Sequence, residues 1–211
     1  MKKQGSMRRE RFRLWERCVS SALTAEIDLS GFHCGDESLD YYFHNRAQAY
    51  EEEMLSRNYA LVTQDGTHEP VAIFSICNTS INMPALRGNV RNRLQRRIPN
   101  PKRRRTYPAL LIGRIGVDVR YQGQGIGSQM IDYIKHLYTH KSARGLCRFL
   151  LVDAINRPDV IGFYQNNGFV TLFETEEDER QSFNIGTELR TRMMYCDLKL
   201  WCERQAVRDK I

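Results

Sequence analysis

Arg120-Tyr121-Gln122-Gly123-Gln124-Gly125-Ile126-Gly127 follows directly on the apolar run Leu110-Leu111-Ile112-Gly113-Arg114-Ile115-Gly116-Val117 and leads into a helical pattern. The order is strand, glycine loop, helix. Glycines at 123, 125 and 127 allow positive φ and a close approach of backbone N–H groups to a ligand, and the helix aims the positive end of its dipole at the same spot. Such a turn is an anion cradle suited to a pyrophosphate. Two nucleotide folds use a similar loop, and each lacks a part here. A P-loop needs Gly-Lys-Ser/Thr, whereas Gly127 is followed by Ser128-Gln129. A dinucleotide fold wants an acidic residue about 20 positions further on, and Lys141–Leu146 has none.

Further along, the strand-like Phe149-Leu150-Leu151-Val152 is followed by Asp153-Ala154-Ile155-Asn156, then Pro158 at a helix start and Phe163-Tyr164-Gln165-Asn166-Asn167-Gly168-Phe169. With these residues in view, Gln122–Gly127 resembles the acetyl-CoA loop of the GCN5-related N-acetyltransferases (GNATs), Gln/Arg-x-x-Gly-x-Gly/Ala. Asn156–Phe169 is similar to the family's Asn…Phe-Tyr-x-x-x-Gly-Phe segment. Two more stretches, Phe32-His33-Cys34-Gly35…Leu39-Asp40-Tyr41-Tyr42-Phe43…Ala47 and Leu111–Asp118, resemble the GNAT sub-family of toxin–antitoxin toxins. A turn glycine and an apolar helix face also account for most of the first as core packing.

The resemblance implies a mixed α/β sheet with flanking helices, a basic extension over 1–23, a GNAT domain over 24–200 and a tail over 201–211. It implies acetyl-CoA as co-substrate, held by Ile115, Val117, Gln122, Gly123, Gln124, Gly125, Ile126, Gly127, Ser128 and Asn156, although a residue just before a helix also reads as a cap. Tyr164 falls on the family's tyrosine position, from which its phenol protonates the departing thiolate; beside Phe163 and Phe169 it also reads as a core residue. Toxin-like relatives acetylate the α-amine of aminoacyl-tRNA and are often dimers with small DNA-binding antitoxins.

The residues themselves predict a helix from Ser38 to about Met54, a hairpin from Tyr59–Thr63 and Val71–Cys77, and a central strand over 110–117. They further predict a helix with Met130, Ile131, Ile134, Leu137 and Tyr138 on one face, a strand near 148–153, a helix near 158–167 and a last strand near 191–198. With 211 residues and 41% hydrophobic content, one sizeable core is expected. No apolar run reaches the roughly 18 residues of a membrane span, and Met1–Ser6 leads into Arg8-Arg9-Glu10-Arg11. A soluble, cytoplasmic protein is expected. Cys18, Cys34, Cys77, Cys147, Cys196 and Cys202 show no C-x-x-C spacing, which favours buried reduced thiols. His136 and His140 share a helix face without a third ligand nearby, and no metal is expected.

Between Arg87 and Arg105 lie nine basic residues and no acidic one, more charge than the chain's net +7. With Pro84, Pro99, Pro101 and Pro108 around it, the segment reads as a long loop. It is either a solvated run balancing Glu174–Glu179 or a set of phosphate contacts, with Arg97, Arg103, Arg104 and Arg105 as candidates for RNA and CoA's own phosphates as competitors. No aromatic interrupts the arginines before Tyr107, so any nucleic-acid contact would be electrostatic.

Leu110–Val117 contains no Asp, Glu or His to act as general base. A lysine amine with pKa about 10.4 would stay protonated, whereas an α-amine near 7.7–8.0 is partly neutral at pH 7. The acceptor is therefore expected to be a weakly basic amine, with Asp118, Asp153 or a carboxylate of Glu51–Glu53 as bases acting through water. A strand N–H near Val117 would polarise the thioester carbonyl. The alternatives are an acetyltransferase of small molecules or proteins, and a noncatalytic RNA-binding module on the same scaffold.

Overall fold

The computed structural model describes residues 12–101, 104–140 and 147–208. A short helix α1 (Leu14–Arg17) runs into strand β1 (Cys18–Ala22), and helices α2 (Glu37–Asn45) and α3 (Ala47–Glu52) precede the hairpin β2 (Arg57–Thr63) and β3 (Pro70–Asn82). Then come α4 (Gly88–Gln95), β4 (Thr106–Val117), α5 (Ile126–Thr139), β5 (Phe149–Ile155), α6 (Pro158–Asn166), β6 (Val170–Thr171), α7 (Glu176–Phe183), β7 (Thr191–Asp197) and α8 (Leu198–Arg208). The seven strands form one sheet in the order β1-β2-β3-β4-β5-β7-β6. All pairs are antiparallel except β4 with β5. A parallel pair needs a crossover, and α5 supplies it.

One sheet face carries the largest core, into which α5 lowers Ile126, Met130, Ile131 and Ile134, all essentially buried. These side chains recur at helical spacing, and each contributes roughly 1.5–3 kcal/mol of burial. The opposite face holds two smaller cores, one under α2 with Phe32, Tyr42 and Phe43, the other under α4 with Val90 and Leu94. The mixed sheet with flanking helices matches the expected fold class.

The sheet starts earlier than Thr24. Cys18–Ala22 pairs with β2, Phe12 and Leu14 are buried in the main core, and the Gln129 side chain ties that segment down by accepting from Leu14 N (2.8 Å) and donating to Phe12 O (3.0 Å). At the other end, Trp201 of α8 packs on the same core. The helix expected over 38–54 is two helices, broken at Arg46. The basic segment is not a continuous loop either. It contains α4, because Val90 and Leu94, four residues apart, bury one face while the arginines occupy the others.

Candidate active site

β4 and β5 stay paired only from Ala109–Phe149 to Ile112–Val152. Beyond that point β4 continues along β3 to Val117, and β5 continues along β7 to Ile155. Two parallel strands thus part and leave a wedge, entered by Leu39 from α2 and by Phe163 and Tyr164 from α6. A β-bulge at the parting sets which side chains face it. Ser75 pairs with Arg114 but Ile76 with Ile112, so Gly113 is the extra residue, and the side-chain alternation of β4 flips there. Arg114 is thereby turned to the α2 face, where its guanidinium stacks 3.7 Å from the Tyr42 ring centre.

At the end of β4 the Asp118 N–H donates to Val71 O (3.0 Å) on β3. Backbone polar groups alternate sides along a strand, so those of Val117 and Ile115 point away from β3, towards the wedge. The Val117 carbonyl accordingly accepts from Gln122 Nε2 (2.9 Å), which also donates to Cys34 O (2.8 Å). The glycine loop is held from beneath by the fully buried Asp118. Its carboxylate accepts from Arg120 N (3.0 Å), Arg120 Nε (2.7 Å) and His33 N (3.1 Å). Burial pushes the Asp118 pKa up, but these hydrogen bonds outweigh it and leave the carboxyl below the ordinary aspartate range.

Gly123 and Gly125 adopt φ of 73° and 78°, the left-handed conformation open to glycine, and Gly125 is the N-cap of α5. At Gly127 a Cβ would stand 3.3 Å from the Phe163 ring, so glycine there lets α5 and α6 approach. Ile126 turns its side chain into the core and leaves only backbone to the cradle. Ser128 Oγ accepts from Asn167 Nδ2 (3.2 Å), and Gln124 Nε2 reaches back to Arg120 O (3.4 Å).

Tyr164 is buried in the wedge wall with its ring edge-on to Phe163 and Phe169. Burial raises its pKa to about 12. Among the described residues every fully enclosed side-chain nitrogen or oxygen has a hydrogen-bond partner, and the Tyr164 hydroxyl has none. It therefore opens onto the cavity of about 350 Å³ that it lines. Asn156 follows Ile155, which lines the wedge. Its amide donates to Leu189 O (3.1 Å) and its N–H to Arg190 O (2.9 Å), pinning the loop before β7, while α6 is entered from Arg157 without a side-chain cap.

The model of the acetyltransferase (GNAT) domain matches residues 96–171, the stretch that contains β4, the glycine loop and α6. A tRNA-acetylating toxin of Mycobacterium tuberculosis is 31% identical over 130 residues, which make up 61% of this chain and 70% of that protein. The chain belongs to the GNAT acetyltransferases. Among solved structures, AtaT complexed with acetyl-methionyl-tRNAfMet superposes with a TM-score of 0.65 at 21% identity, covering 86% of this chain and 95% of that one. A tyrosine-to-phenylalanine mutant of AtaT, bound to the C-terminus of the antitoxin AtaR and acetyl-CoA, gives 0.61 at 18%, covering 87% and 94%. At these identities the two structures speak for the GNAT fold.

As a GNAT N-acetyltransferase, the protein takes its acetyl group from acetyl-CoA, and the residues present fit that donor. Were the donor bound here, the loop from Gln122 to Gly127 would offer its N–H groups to the pyrophosphate, the wedge would take the extended thioester between two strands, and the inward-facing Val117 N–H would be the donor nearest its carbonyl. The open Tyr164 hydroxyl stands on the α6 side of that wedge.

Several residues stand apart from this centre. Arg87 is engaged by Asp178 and Gln181, and Arg97 by Glu203 (3.0 Å), so part of the run does balance acidic residues. Arg96 and Arg97 line a hollow of about 850 Å³ with Arg93, Arg148 and Arg204. That hollow sits at the start of β5, about 20 Å of strand from the wedge. Arg104 and Arg105 lie at the entry to β4, and Arg103 falls outside the described residues. Arg114 and Arg148 were not expected at a site. Arg114 stands singly in an apolar strand and Arg148 directly before one, and only the tertiary pairing gives each a cavity to face. His136 is packed between the rings of Trp15 and Trp201.

Proposed function

We propose that this acetyltransferase acetylates the α-amine of aminoacyl-tRNA and acts as a toxin in the cytoplasm, opposed by an antitoxin. The observation that carries the reading is the 31% identity to a tRNA-acetylating toxin across 70% of its length. The charge distribution supports it. In the hollow beside α4 the five arginines 93, 96, 97, 148 and 204 outnumber the acids Asp197 and Glu203, a surplus suited to RNA phosphates. The AtaT complexes with an acetylated aminoacyl-tRNA and with an antitoxin segment support the substrate class and the partner. Among the described residues no helix is long and apolar enough to cross a membrane, which suits a cytoplasmic enzyme. The catalytic unit extends beyond residues 24–200, from about Phe12 to α8, and homodimerisation follows from the toxin-like resemblance.

The test is acetyl-CoA consumption by purified protein with and without charged bulk tRNA, followed by mass spectrometry of the released amino acids. Acetylated amino acids are expected and would name the accepted residue. Acetyl-CoA binding without that product would move the acceptor to small amines or protein N-termini.

A further inference from the structure

β4 carries no carboxylate, and the other acids once considered as bases are occupied or remote. Asp118 is buried under the glycine loop in its Arg120 pair. Glu51 accepts from Asn58 N (3.0 Å), Glu52 accepts from Gln48 (2.9 Å), and neither they nor Glu53 line the wedge. The opposite bank differs. Along β5, Leu150, Val152 and Ala154 face the main core, so Asp153 emerges on the other face of the sheet from Tyr164. It borders two cavities at once, the wedge that Tyr164 also lines and an adjoining hollow of about 370 Å³ walled by Phe183, Ile185, Leu189 and Met193. Among the described residues its carboxylate has no hydrogen bond or ion pair.

From this we infer that Asp153 is the proton acceptor for the incoming ammonium, working on the acceptor side of the wedge while Tyr164 works on the thiolate side. The inference rests on the acetyl transfer itself and uses the aminoacyl-tRNA reading only for its first substrate. Asp153 removes one proton from the ammonium, and the freed amine attacks the thioester carbonyl carbon. The N–C bond forms, the C–S bond breaks, and the sulfur takes the Tyr164 proton. The second nitrogen proton restores Tyr164, and Asp153 releases its own to solvent. An amide, a thiol and one proton leave the site, which balances the reaction.

The charged and titratable groups around Asp153 leave it free for this. Glu179 is taken by Arg192 Nε (2.7 Å) and Met193 N (2.7 Å), and Asp159 by Arg157 (2.5 Å). Arg114 lies on Tyr42, and Glu188 and Arg190 also line the second hollow without a hydrogen bond or ion pair to Asp153. Asp153 is exposed to solvent, and the partial loss of hydration beside the two cavities raises its pKa, which brings it nearer that of an α-amine and favours transfer.

The test compares wild type, Asp153→Asn and Asp153→Glu in kcat/KM on charged tRNA and on free aminoacyl esters from pH 6 to 9. Wild type should hold its rate below the amine pKa, because it can use the bound ammonium. Asp153→Asn depends on amine already neutral, so the gap should widen about tenfold per pH unit below about 7.7 and narrow above 8. Asp153→Glu should regain part of the acid-side rate. Parallel profiles would overturn the inference, because a structural role lowers the rate alike at every pH. Titration of the Asp153 carboxyl by 13C NMR with acetyl-CoA bound needs no acceptor, and a midpoint at or below the ordinary aspartate value would also overturn it. Failure of wild type on charged tRNA alone counts against the tRNA reading and leaves the NMR result standing.

Discussion

At Tyr164 one side chain combines a packed ring with an open hydroxyl. Its ring is wedged between Phe163 and Phe169, which fixes the hydroxyl, and the hydroxyl is the part left open to the cavity. With its pKa raised to about 12 by burial, the phenol stays protonated through the whole neutral range. Tyr164→Phe keeps the ring contacts and removes that proton. We expect kcat to fall by about 10²–10⁴-fold with acetyl-CoA affinity nearly intact, measured by steady-state kinetics beside titration calorimetry. An unchanged kcat would remove Tyr164 from the mechanism and leave it as a core residue.

At the scale of elements, the site depends on a loop that is braced before any ligand arrives. Asp118 joins the end of β4, the start of the glycine loop and the turn at His33 through four hydrogen bonds to its carboxylate. Asp118→Asn should cost about 2 kcal/mol at pH 7, since the bonds it weakens are charge-assisted and one partner is half exposed. The folded pKa lies below the ordinary 3.9, so the contribution is complete above about pH 5 and is lost as pH falls through the folded value. Urea midpoints of the two proteins should differ equally at pH 7 and pH 5 and converge below pH 4. The strand-loop-helix unit was legible in the sequence because glycine spacing and apolar periodicity are local. α4 was not, because two apolar residues among five arginines look like a solvated run until Val90 and Leu94 find their core. α7 was hidden in the same way. Thr175 accepts from Asp178 N (3.0 Å), so the acidic stretch is the first turn of a helix as well as counter-charge. The wedge and the β-bulge at Gly113 are properties of strand pairing, which no window of one strand reports. For that reason Asp153 stayed one base among several, and the hold of Asn156 on the loop before β7 went unread.

Across the whole molecule, chemistry and charge occupy opposite ends of the sheet. The wedge lies where β4 and β5 part at their C-terminal ends, and the arginine hollow lies where β5 begins and β7 ends. Arg97 is paired with Glu203 and Arg148 with Asp197, whereas Arg96 and Arg204 form no ion pair among the described residues. Those two are therefore the cations free to meet phosphate. Counter-ion release makes such contacts salt-dependent, with a slope in log affinity against log salt of about −0.7 to −0.9 per phosphate neutralised. Arg96→Ala with Arg204→Ala should weaken tRNA binding and flatten that slope by about 1.5 units, read by filter binding between 50 and 200 mM salt. Acetylation of a free aminoacyl ester, which is too small to reach the hollow, should be unchanged. A loss on both substrates would mean that the arginines hold the fold together, and a loss on neither would place the RNA on another face.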